Sequence, residues 1–309
     1  MIESKIMDTR TIFMGSPDFA LPILDELHRL VNVVGVVTQP DRPSGRGRSM
    51  QSPPVKILAE NLGIPVIQPE KLTDPDAMQK LTEWAPELIV VAAFGQLLKK
   101  QVLDMPRLGC LNVHASLLPR WRGASPIQAA ILHGDSTTGI TIMKMDIGLD
   151  NGPILTLREF SITEPITGGD LSRELSILGA RTLGEVLPSY INGMIAPYPQ
   201  DESKATYTKR LKKTDGKLDF NLSAHELASK VLAFNPWPGT FFELEGRFIK
   251  VHKAHAHDTF VAEPEGHYIV NDKPAIGTAR GLFVLDVVQP ASKHSMSGSA
   301  YLNGYPRWL

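Results

Sequence analysis

The stretch TIFMGSPDFALPILDELHRLVNVVGVVTQ, residues 11–39, decides the fold class because it holds two apolar strands with a helix between them. Residues 11–15 form a short apolar run that ends in glycine, and residues 17–30 repeat apolar side chains at helical spacing. Residues 31–39 are rich in β-branched side chains and almost continuously apolar, as in a parallel strand buried on both faces. The order strand, helix, strand predicts an α/β domain.

Strand and helix signals alternate in the same way through the rest of the first half. Strands are predicted in PVIQ, ELIVVAAF, CLNVHAS and TGITIMKM, with helices near 54–62, 74–84 and 125–133 and a longer one over 168–192. We therefore predict a Rossmann-like domain over residues 1–195, in which a mostly parallel sheet has helices on both faces. Such sheets bind ligands beyond the carboxyl ends of their strands.

A second domain is expected because 309 residues are many for a single hydrophobic core. Residues 196–214 are polar, basic and interrupted by proline, which is typical of a linker. In residues 215–309 one helix, 223–235, precedes short strand-like pieces separated by Gly, Pro and Asn. This pattern predicts a small OB-like β-barrel.

Composition places the chain among ordinary globular proteins, with 42% hydrophobic and 21% charged residues. No apolar run approaches the roughly 20 residues that span a bilayer, and the opening MIESKIMDTR resembles neither a secretory signal nor an obvious transit peptide. A single cysteine, Cys110, fits a reducing cytosol. We expect a cytoplasmic monomer without a membrane anchor.

Charge is distributed unevenly, although the net charge is only −1. From Lys204 onward there are 14 Lys and Arg against 10 Asp and Glu, whereas the preceding part has 18 against 23. A basic tail domain after an acidic body is a modest indication of a polyanionic partner.

Cofactor and nucleophile motifs are weak throughout the chain. FMGSPDFA has one glycine where a dinucleotide fingerprint needs three, and no P-loop motif occurs, so neither NAD nor ATP binding is expected. Cys110 opens an apolar strand and is predicted to be a buried structural residue. In VHKAHAHD, three histidines precede an aspartate in a strand-like region, and we favour a polar strand over a metal site: His252, His255, His257 and Asp258.

The segment LNVHASLLPRWRG, residues 111–123, begins as a buried strand but carries two polar side chains. Asn112 and His114 project to one face because the side-chain period of a strand is two, and they lie near its carboxyl end. A hydrogen-bonded pair inside the core is the alternative, but it would need several polar partners. The segment MDIGLDNGP supplies Asp146 and Asp150 at the end of another strand, so we favour an active site.

At these residues the chain resembles a known family. NVHASLLPRWRGASPIQAAILHGD and GITIMKMDIGLDNGPIL closely resemble the formyltransferases that use 10-formyltetrahydrofolate. The resemblance implies that Asn112, His114 and Asp150 are the catalytic trio, with the family's spacing of 38 positions from Asn112 to Asp150. It also implies that 10-formyltetrahydrofolate is the formyl donor, in contact with the SLLP segment: Ser116, Leu117, Leu118 and Pro119.

Further motifs resemble the members of this family that formylate methionyl initiator tRNA for translation initiation. They are FMGSPDFA, VTQPDRPSGRGR and FNPWPGTFFE, so the match covers nearly the whole chain. The implied partner is the aminoacylated end of a methionyl initiator tRNA. The family commonly has consecutive lysines after GRG, where this chain continues with Arg48, Ser49 and Met50.

Basic residues at two places are candidates for contacts with tRNA phosphates. The 14-residue stretch 39–52 is broken by Pro and Gly, and we expect a loop without structure of its own. A solvated surface is the alternative for both places, and for Arg120 and Arg122 phosphate contact and solvation both stay open. The candidate cations of the loop and of the linker are Arg42, Arg46, Arg48, Lys209, Arg210, Lys212 and Lys213.

Formyl transfer is an acyl transfer in which an amine attacks the formyl carbon and a tetrahedral oxyanion forms. No protein nucleophile is required when the amine is held correctly. We predict that Asn112 and His114 bind the oxyanion, while Asp150 sets the charge state of His114.

Other functions stay open at this point. A related enzyme could formylate a small amine, such as glycinamide ribonucleotide or a nucleotide-linked amino sugar, or could hydrolyse formyltetrahydrofolate. A noncatalytic RNA-binding protein with a degenerate enzyme domain is the alternative from a different class. The intact trio argues against the last alternative, and the GRGR loop, the basic linker and NPWPG favour tRNA over a small amine.

Overall fold

The computed structural model describes residues 6–44, 49–259, 262–305 and 308. Contacts between Cα atoms divide the chain into two compact units. The first unit consists of the described residues up to Pro126 with Thr137–Ser161 and Ser172–Thr208, and the second of Ile127–Ser136, Ile162–Leu171 and the part from Lys209 onward. The domain bounds at 195 and 215 stay a prediction.

The strands of the first unit are short, and each ends at a loop or helix of the alternating pattern. In chain order they are β1 (Arg10–Gly15), β2 (Asn32–Val37), β3 (Arg42–Ser44), β4 (Ser49–Gln51), β5 (Val66–Ile67), β6 (Leu88–Ala92), β7 (Cys110–His114), β8 (Arg122–Gly123), β9 (Thr137–Lys144), β10 (Ile154–Ser161) and β11 (Tyr207–Thr208). The α-helices up to residue 191 are α1 (Leu21–Leu30), α2 (Pro54–Asn61), α3 (Pro75–Trp84), α4 (Lys100–Leu103), α5 (Pro126–Leu132) and α6 (Gly168–Ile191).

Seven of these strands form one sheet in the order β10-β9-β7-β6-β1-β2-β5. The pairs β5–β2, β2–β1, β1–β6 and β6–β7 are parallel, whereas β7–β9 and β9–β10 are antiparallel. The predicted α/β class with a mostly parallel sheet is therefore confirmed. Because β6 and β7 are neighbours and parallel, their carboxyl ends open on the same edge of the sheet.

The central strands are buried on both faces, which explains their continuous apolar runs. On one face Leu81 and Trp84 of α3 pack in a cluster with Ile12 and Met14 of β1. On the other face α6 approaches β7 so closely that a β-carbon at Gly179 would lie 2.9 Å from a methyl group of Val113. Helices therefore cover both faces of the sheet.

Local structure differs from the sequence pattern at two places. The stretch 39–52 has structure of its own, because β3 and β4 pair antiparallel within it. Strand β10 was not predicted, since as an edge strand it exposes much of its length and lacks a continuous apolar run. Three-residue strands such as β3 carry too few apolar side chains for a periodic pattern to be visible.

The second unit contains an antiparallel sheet, as predicted for the C-terminal domain. In chain order its elements are α7 (Ala224–Ala233), β12 (Thr240–Leu244), β13 (Arg247–His257), β14 (His267–Val270), β15 (Lys273–Gly277), β16 (Leu282–Pro290), β17 (Met296–Ser297) and α8 (Gly298–Gly304). The strands pair in the order β12-β13-β16-β15-β14, with β17 on β16, and the core includes Phe220, Phe242 and Phe283. The OB-like closure into a barrel stays a prediction.

Within the described ranges, the helices are too short or too polar to cross a lipid bilayer.

Candidate active site

Asn112 and His114 lie near the carboxyl end of β7, and the two-residue period of a strand turns both side chains to the same face. Their partners across the antiparallel pair with β9 are Met143 and Thr141. His114 is only 6% exposed, and Asn112 is partly buried. The strand therefore presents two polar side chains at the edge of the sheet where ligands bind.

Asp150 reaches this edge from the loop between β9 and β10. Its Oδ1 accepts a 3.4 Å hydrogen bond from Nδ2 of Asn112, and its Oδ2 lies 3.7 Å from Nδ1 of His114. Its φ of +49° is a left-handed conformation that aspartate adopts more readily than most residues. The structure thus brings the three predicted side chains together, while their catalytic role stays a prediction.

The ring of His114 has a defined orientation. Its Nε2 lies 3.1 Å from the backbone carbonyl oxygen of Trp121. Because a carbonyl oxygen only accepts, Nε2 carries a hydrogen. The other ring nitrogen, Nδ1, faces the Asp150 carboxylate.

Gly123 completes the environment of Asp150, and the sequence analysis had not singled it out. Its backbone N–H donates to Oδ2 of Asp150 at 2.8 Å. Its φ is +109°, and a β-carbon at this position would lie 2.5 Å from the carbonyl oxygen of Thr208. Only glycine fits such a backbone conformation and close approach, so the final Gly of PRWRG was the available signal.

The guanidinium of Arg122 is 1% exposed, which contradicts both phosphate contact and solvation. Its Nη1 and Nη2 donate to the two carboxylate oxygens of Glu202 at 2.8 and 2.6 Å. Its Nε and Nη2 both donate to Oε1 of Gln200, at 3.1 and 2.8 Å. These partners are 78 and 80 positions away, so local sequence could not show that Arg122 faces inward.

Gln200 connects Arg122 to the loop of Asp150, and sequence reasoning missed it. Its Nε2 donates to the backbone carbonyls of Asp150 at 2.8 Å and Gly152 at 2.7 Å. Nothing in the surrounding YPQDESK distinguishes this glutamine from a solvated linker residue. Part of the predicted linker, Tyr198–Thr208, in fact bonds to the site loops through the Tyr198–Ile154 bridge and the β8–β11 pair.

Two family models match the chain. One, described as "Formyl transferase", matches residues 9–187, and the other, "Formyl transferase, C-terminal domain", matches residues 210–306. The chain belongs to the formyltransferase family.

A relative that matches over nearly its whole length agrees with this assignment. The chain is 43% identical over 296 residues to the methionyl-tRNA formyltransferase of Myxococcus xanthus (strain DK1622), covering 96% of this chain and 95% of the relative.

Two solved structures show the same fold at low sequence identity. An N-formyltransferase from Helicobacter canadensis, in complex with folinic acid and dTDP-3-aminofucose, is 17% identical with a TM-score of 0.64, over 90% of this chain and 99% of that one. HypX from Aquifex aeolicus, in complex with tetrahydrofolic acid, is 16% identical with a TM-score of 0.63. The match covers 98% of this chain but only 48% of HypX.

The SLLP segment of this formyltransferase forms a tight turn after β7. The hydroxyl of Ser116 donates to the carbonyl of Arg120 at 2.6 Å, and Oγ1 of Thr141 donates to the carbonyl of Ser116 at 2.6 Å. Leu118 is buried, whereas Leu117 and Pro119 are partly exposed. Ser116 and Leu118 therefore shape the turn, and the folate contacts of all four residues stay a prediction.

Cys110 and Asp146 do not join the trio in this formyltransferase. Cys110 is buried, as predicted, and burial raises the pKa of its thiol to about 12, which removes it as a nucleophile at neutral pH. Asp146 is exposed, and its Oδ1 accepts a hydrogen bond from the backbone N–H of Ile147. Of the two aspartates in MDIGLD, Asp150 is the one that lies against Asn112 and His114.

The histidine-rich strand β13 uses its side chains in separate polar pairs. His252 lies 3.0 Å from Gln289, and His255 lies 2.7 Å from Asp286, which also accepts from Lys273 at 2.6 Å. No group of three or more His, Cys, Asp and Glu side chains is placed to hold a metal ion in the part of the chain that the structure describes.

Five of the seven candidate RNA contacts of this formyltransferase lie among the described residues, and these five are exposed cations. Arg42 is 63% exposed and pairs with Glu70 at 2.9 Å. Arg46 and Arg48 lie outside the described residues. The four linker cations are all exposed: Lys209, Arg210, Lys212 and Lys213.

Proposed function

We propose that this formyltransferase transfers the formyl group of 10-formyltetrahydrofolate to the amino group of methionyl initiator tRNA. The observation that carries the proposal is the meeting of Asn112, His114 and Asp150 at the end of β7, in a chain 43% identical to a methionyl-tRNA formyltransferase. The identity extends over 96% of the chain, so it includes the C-terminal unit as well as the site.

In the proposed reaction the methionyl amine forms a bond to the formyl carbon, and the bond from that carbon to the folate nitrogen breaks. The attacking nitrogen loses a proton, and the folate nitrogen gains one. The negative charge that develops on the formyl oxygen needs hydrogen-bond donors that are already in place. Asn112 donates one amide hydrogen to Asp150, which leaves the second for the oxyanion.

His114 supplies the second donor in this scheme. The backbone carbonyl of Trp121 accepts the hydrogen of Nε2, which leaves Nδ1 for the reaction. Nδ1 donates to the oxyanion when the ring is protonated, and it takes a proton from the amine when the ring is neutral. Asp150 stabilises the protonated ring, and Gly123 and Asn112 fix the direction of its carboxylate. No side-chain nucleophile takes part, since attack by a correctly held amine suffices.

We assign the remaining predicted residues to substrate binding. The SLLP turn lies directly after the trio's strand, and its partly exposed members, Leu117 and Pro119, offer an apolar surface for the folate ring system. Residues 1–195 would act as the catalytic domain and 215–309 as the tRNA-binding domain, with 196–214 between them. The enzyme would work as a monomer in the cytoplasm.

The acceptor is tested by supplying 10-formyltetrahydrofolate with one of three amines. These are charged methionyl initiator tRNA, charged elongator tRNA, and a small amine such as glycinamide ribonucleotide or a nucleotide-linked amino sugar. We expect rapid formylation of the initiator tRNA and little of the small amine, measured as acid-stable formyl incorporation. Transfer to the small amine alone would contradict the proposal.

Replacing the four linker cations by alanine tests the contact with tRNA phosphates. Log affinity falls linearly with the logarithm of the salt concentration. Each lost phosphate contact reduces the magnitude of this slope by about 0.7 to 0.9, because fewer counterions are released on binding. We therefore expect weaker tRNA binding and a flatter salt dependence for K209A/R210A/K212A/K213A, measured by equilibrium binding at several salt concentrations. The matched control removes the same charge from four exposed lysines elsewhere: Lys71, Lys80, Lys99 and Lys100. Equal slopes for the two variants would contradict the assignment of the linker cations to contacts with tRNA phosphates.

A further inference from the structure

We propose that Gln200 is a positioning residue that holds the backbone of Asp150 in place for formyl transfer, with Arg122 fixing the orientation of its amide. The inference rests on the proposed function, because it presumes that Asp150 acts in that reaction. It assigns a role in the reaction to the segment Tyr198–Thr208, whose composition is that of a linker.

All hydrogen-bonding positions of the Gln200 carboxamide are used. Its oxygen accepts from Nε and Nη2 of Arg122, and its nitrogen donates to the carbonyls of Asp150 and Gly152. A guanidinium only donates, and a backbone carbonyl only accepts. An amide is therefore the side-chain group that satisfies both neighbours, and its two ends cannot be exchanged.

Arg122 is held in turn from outside the site. Glu202 pairs with both terminal nitrogens, and the hydroxyl of Tyr207 accepts from Nη1 at 3.3 Å. The side chain of Glu202 is 66% exposed and that of Arg122 is 1% exposed. The ion pair therefore connects the protein surface to the partly buried amide of Gln200. A bidentate pair of this kind fixes the plane of the guanidinium, which lysine could not do.

The loop of Asp150 depends on such anchoring. Around it Asp146, Ile147, Leu149 and Asn151 are exposed or partly exposed and so pack against little of the protein. Asp150 itself has a left-handed backbone, which costs free energy unless the surroundings hold it. Because an aspartate side chain is short, any shift of its backbone moves the carboxylate by a similar distance relative to Asn112 and His114.

The same segment fixes Asp150 from a second direction. In β11, Tyr207 and Thr208 pair with Arg122 and Gly123 of β8, and Oγ1 of Thr208 donates to the carbonyl of Arg122 at 3.2 Å. Gly123 is the residue whose N–H binds the Asp150 carboxylate. The segment therefore holds the backbone of Asp150 through Gln200 and its side chain through Gly123.

The test is the substitution Gln200→Glu in the full-length chain. Glutamate has the same size and keeps the acceptors for Arg122, but it turns a carboxylate oxygen towards two carbonyl oxygens in place of two N–H donors. Because a displacement of about 1 Å can cost about 100-fold in rate, we expect kcat to fall ten- to 100-fold with KM for both substrates within about threefold. Gln200→Met, which also lacks the donors and adds no charge, replaces it if the glutamate variant does not fold.

A double-mutant cycle separates positioning from general damage. If Gln200 acts only through Asp150, Gln200→Glu should change kcat less than twofold in an Asp150→Asn background. Gln289→Glu, in the second unit, is the matched control. The oxygen of Gln289 likewise faces a side-chain nitrogen, Nε2 of His252, and its nitrogen donates to the backbone carbonyl of Lys293. An unchanged kcat for Gln200→Glu, or the same loss in both backgrounds, overturns the inference. A normal kcat for Asp150→Asn alone would instead refute the role of Asp150 in the proposed formyl transfer.

Discussion

Asp150→Asn is expected to lower kcat by about 100- to 1000-fold, because Asp150 acts through the oxyanion donor His114 and its loss costs no more than the loss of that donor. Asparagine keeps the shape of the side chain, and its oxygen can still accept from the N–H of Gly123. Asparagine has no charge to stabilise a protonated His114. An NH2 donor also replaces one of the two carboxylate oxygens of Asp150. The variant therefore removes the electrostatic contribution and leaves most of the packing unchanged.

Single-turnover formylation with saturating substrates measures this effect, and thermal unfolding reports whether the fold is intact. The matched control is Asp146→Asn, which changes the charge by the same amount in the same loop but at an exposed position away from the trio. We expect the control to keep kcat within about twofold. A loss of less than tenfold for Asp150→Asn would show that its charge is not needed for the reaction.

His114→Ala is expected to lower kcat by about 100- to 1000-fold, because it removes a donor to the oxyanion. The substitution also removes the 3.1 Å contact between Nε2 and the Trp121 carbonyl in a buried site, and the loss of one hydrogen bond costs about 0.5–1.5 kcal/mol of stability. The kinetic measurement should therefore be made well below the unfolding temperature of the variant. His28→Ala, on the exposed side of α1, is the control for loss of an imidazole elsewhere.

The losses from His114 and Asp150 should not multiply. If Asp150 acts by stabilising charge on His114, the double variant should be about as slow as His114→Ala alone. Independent losses would assign Asp150 a separate role, such as contact with the amine. Near-normal turnover of His114→Ala would exclude the histidine as the oxyanion donor.

Residues close in sequence account for most of what could be predicted. The period-two pattern of β7 placed Asn112 and His114 on one face at the carboxyl end of a strand, which is where the structure has them. Asp146 and Asp150 were equal candidates by pattern alone, and the family resemblance favoured Asp150. In the structure they differ because Asp146 bonds within its own loop while Asp150 turns towards β7.

Arg122 is the clearest case that pattern could not decide. An arginine in PRWRG, beside a glycine and after a proline, has the local features of a surface turn. Its burial depends on Gln200, Glu202 and Tyr207, which come from a segment that looks like a linker. No local periodicity reports a partner about 80 positions away.

The sequence by itself determined the alternation of strands and helices, the faces of the strands and the residue types available for chemistry at the edge of the sheet. These properties depend on neighbours within a few positions, where backbone geometry repeats with a fixed period. The tertiary structure decided which groups meet: Asp150 with Asn112 across 38 positions, Gln200 with the Asp150 loop across 50, and Arg122 with Glu202 across 80. Those contacts follow from the pairing of β7 with β9 and of β8 with β11, because hydrogen bonds are short and directional and form only once the strands have fixed both partners.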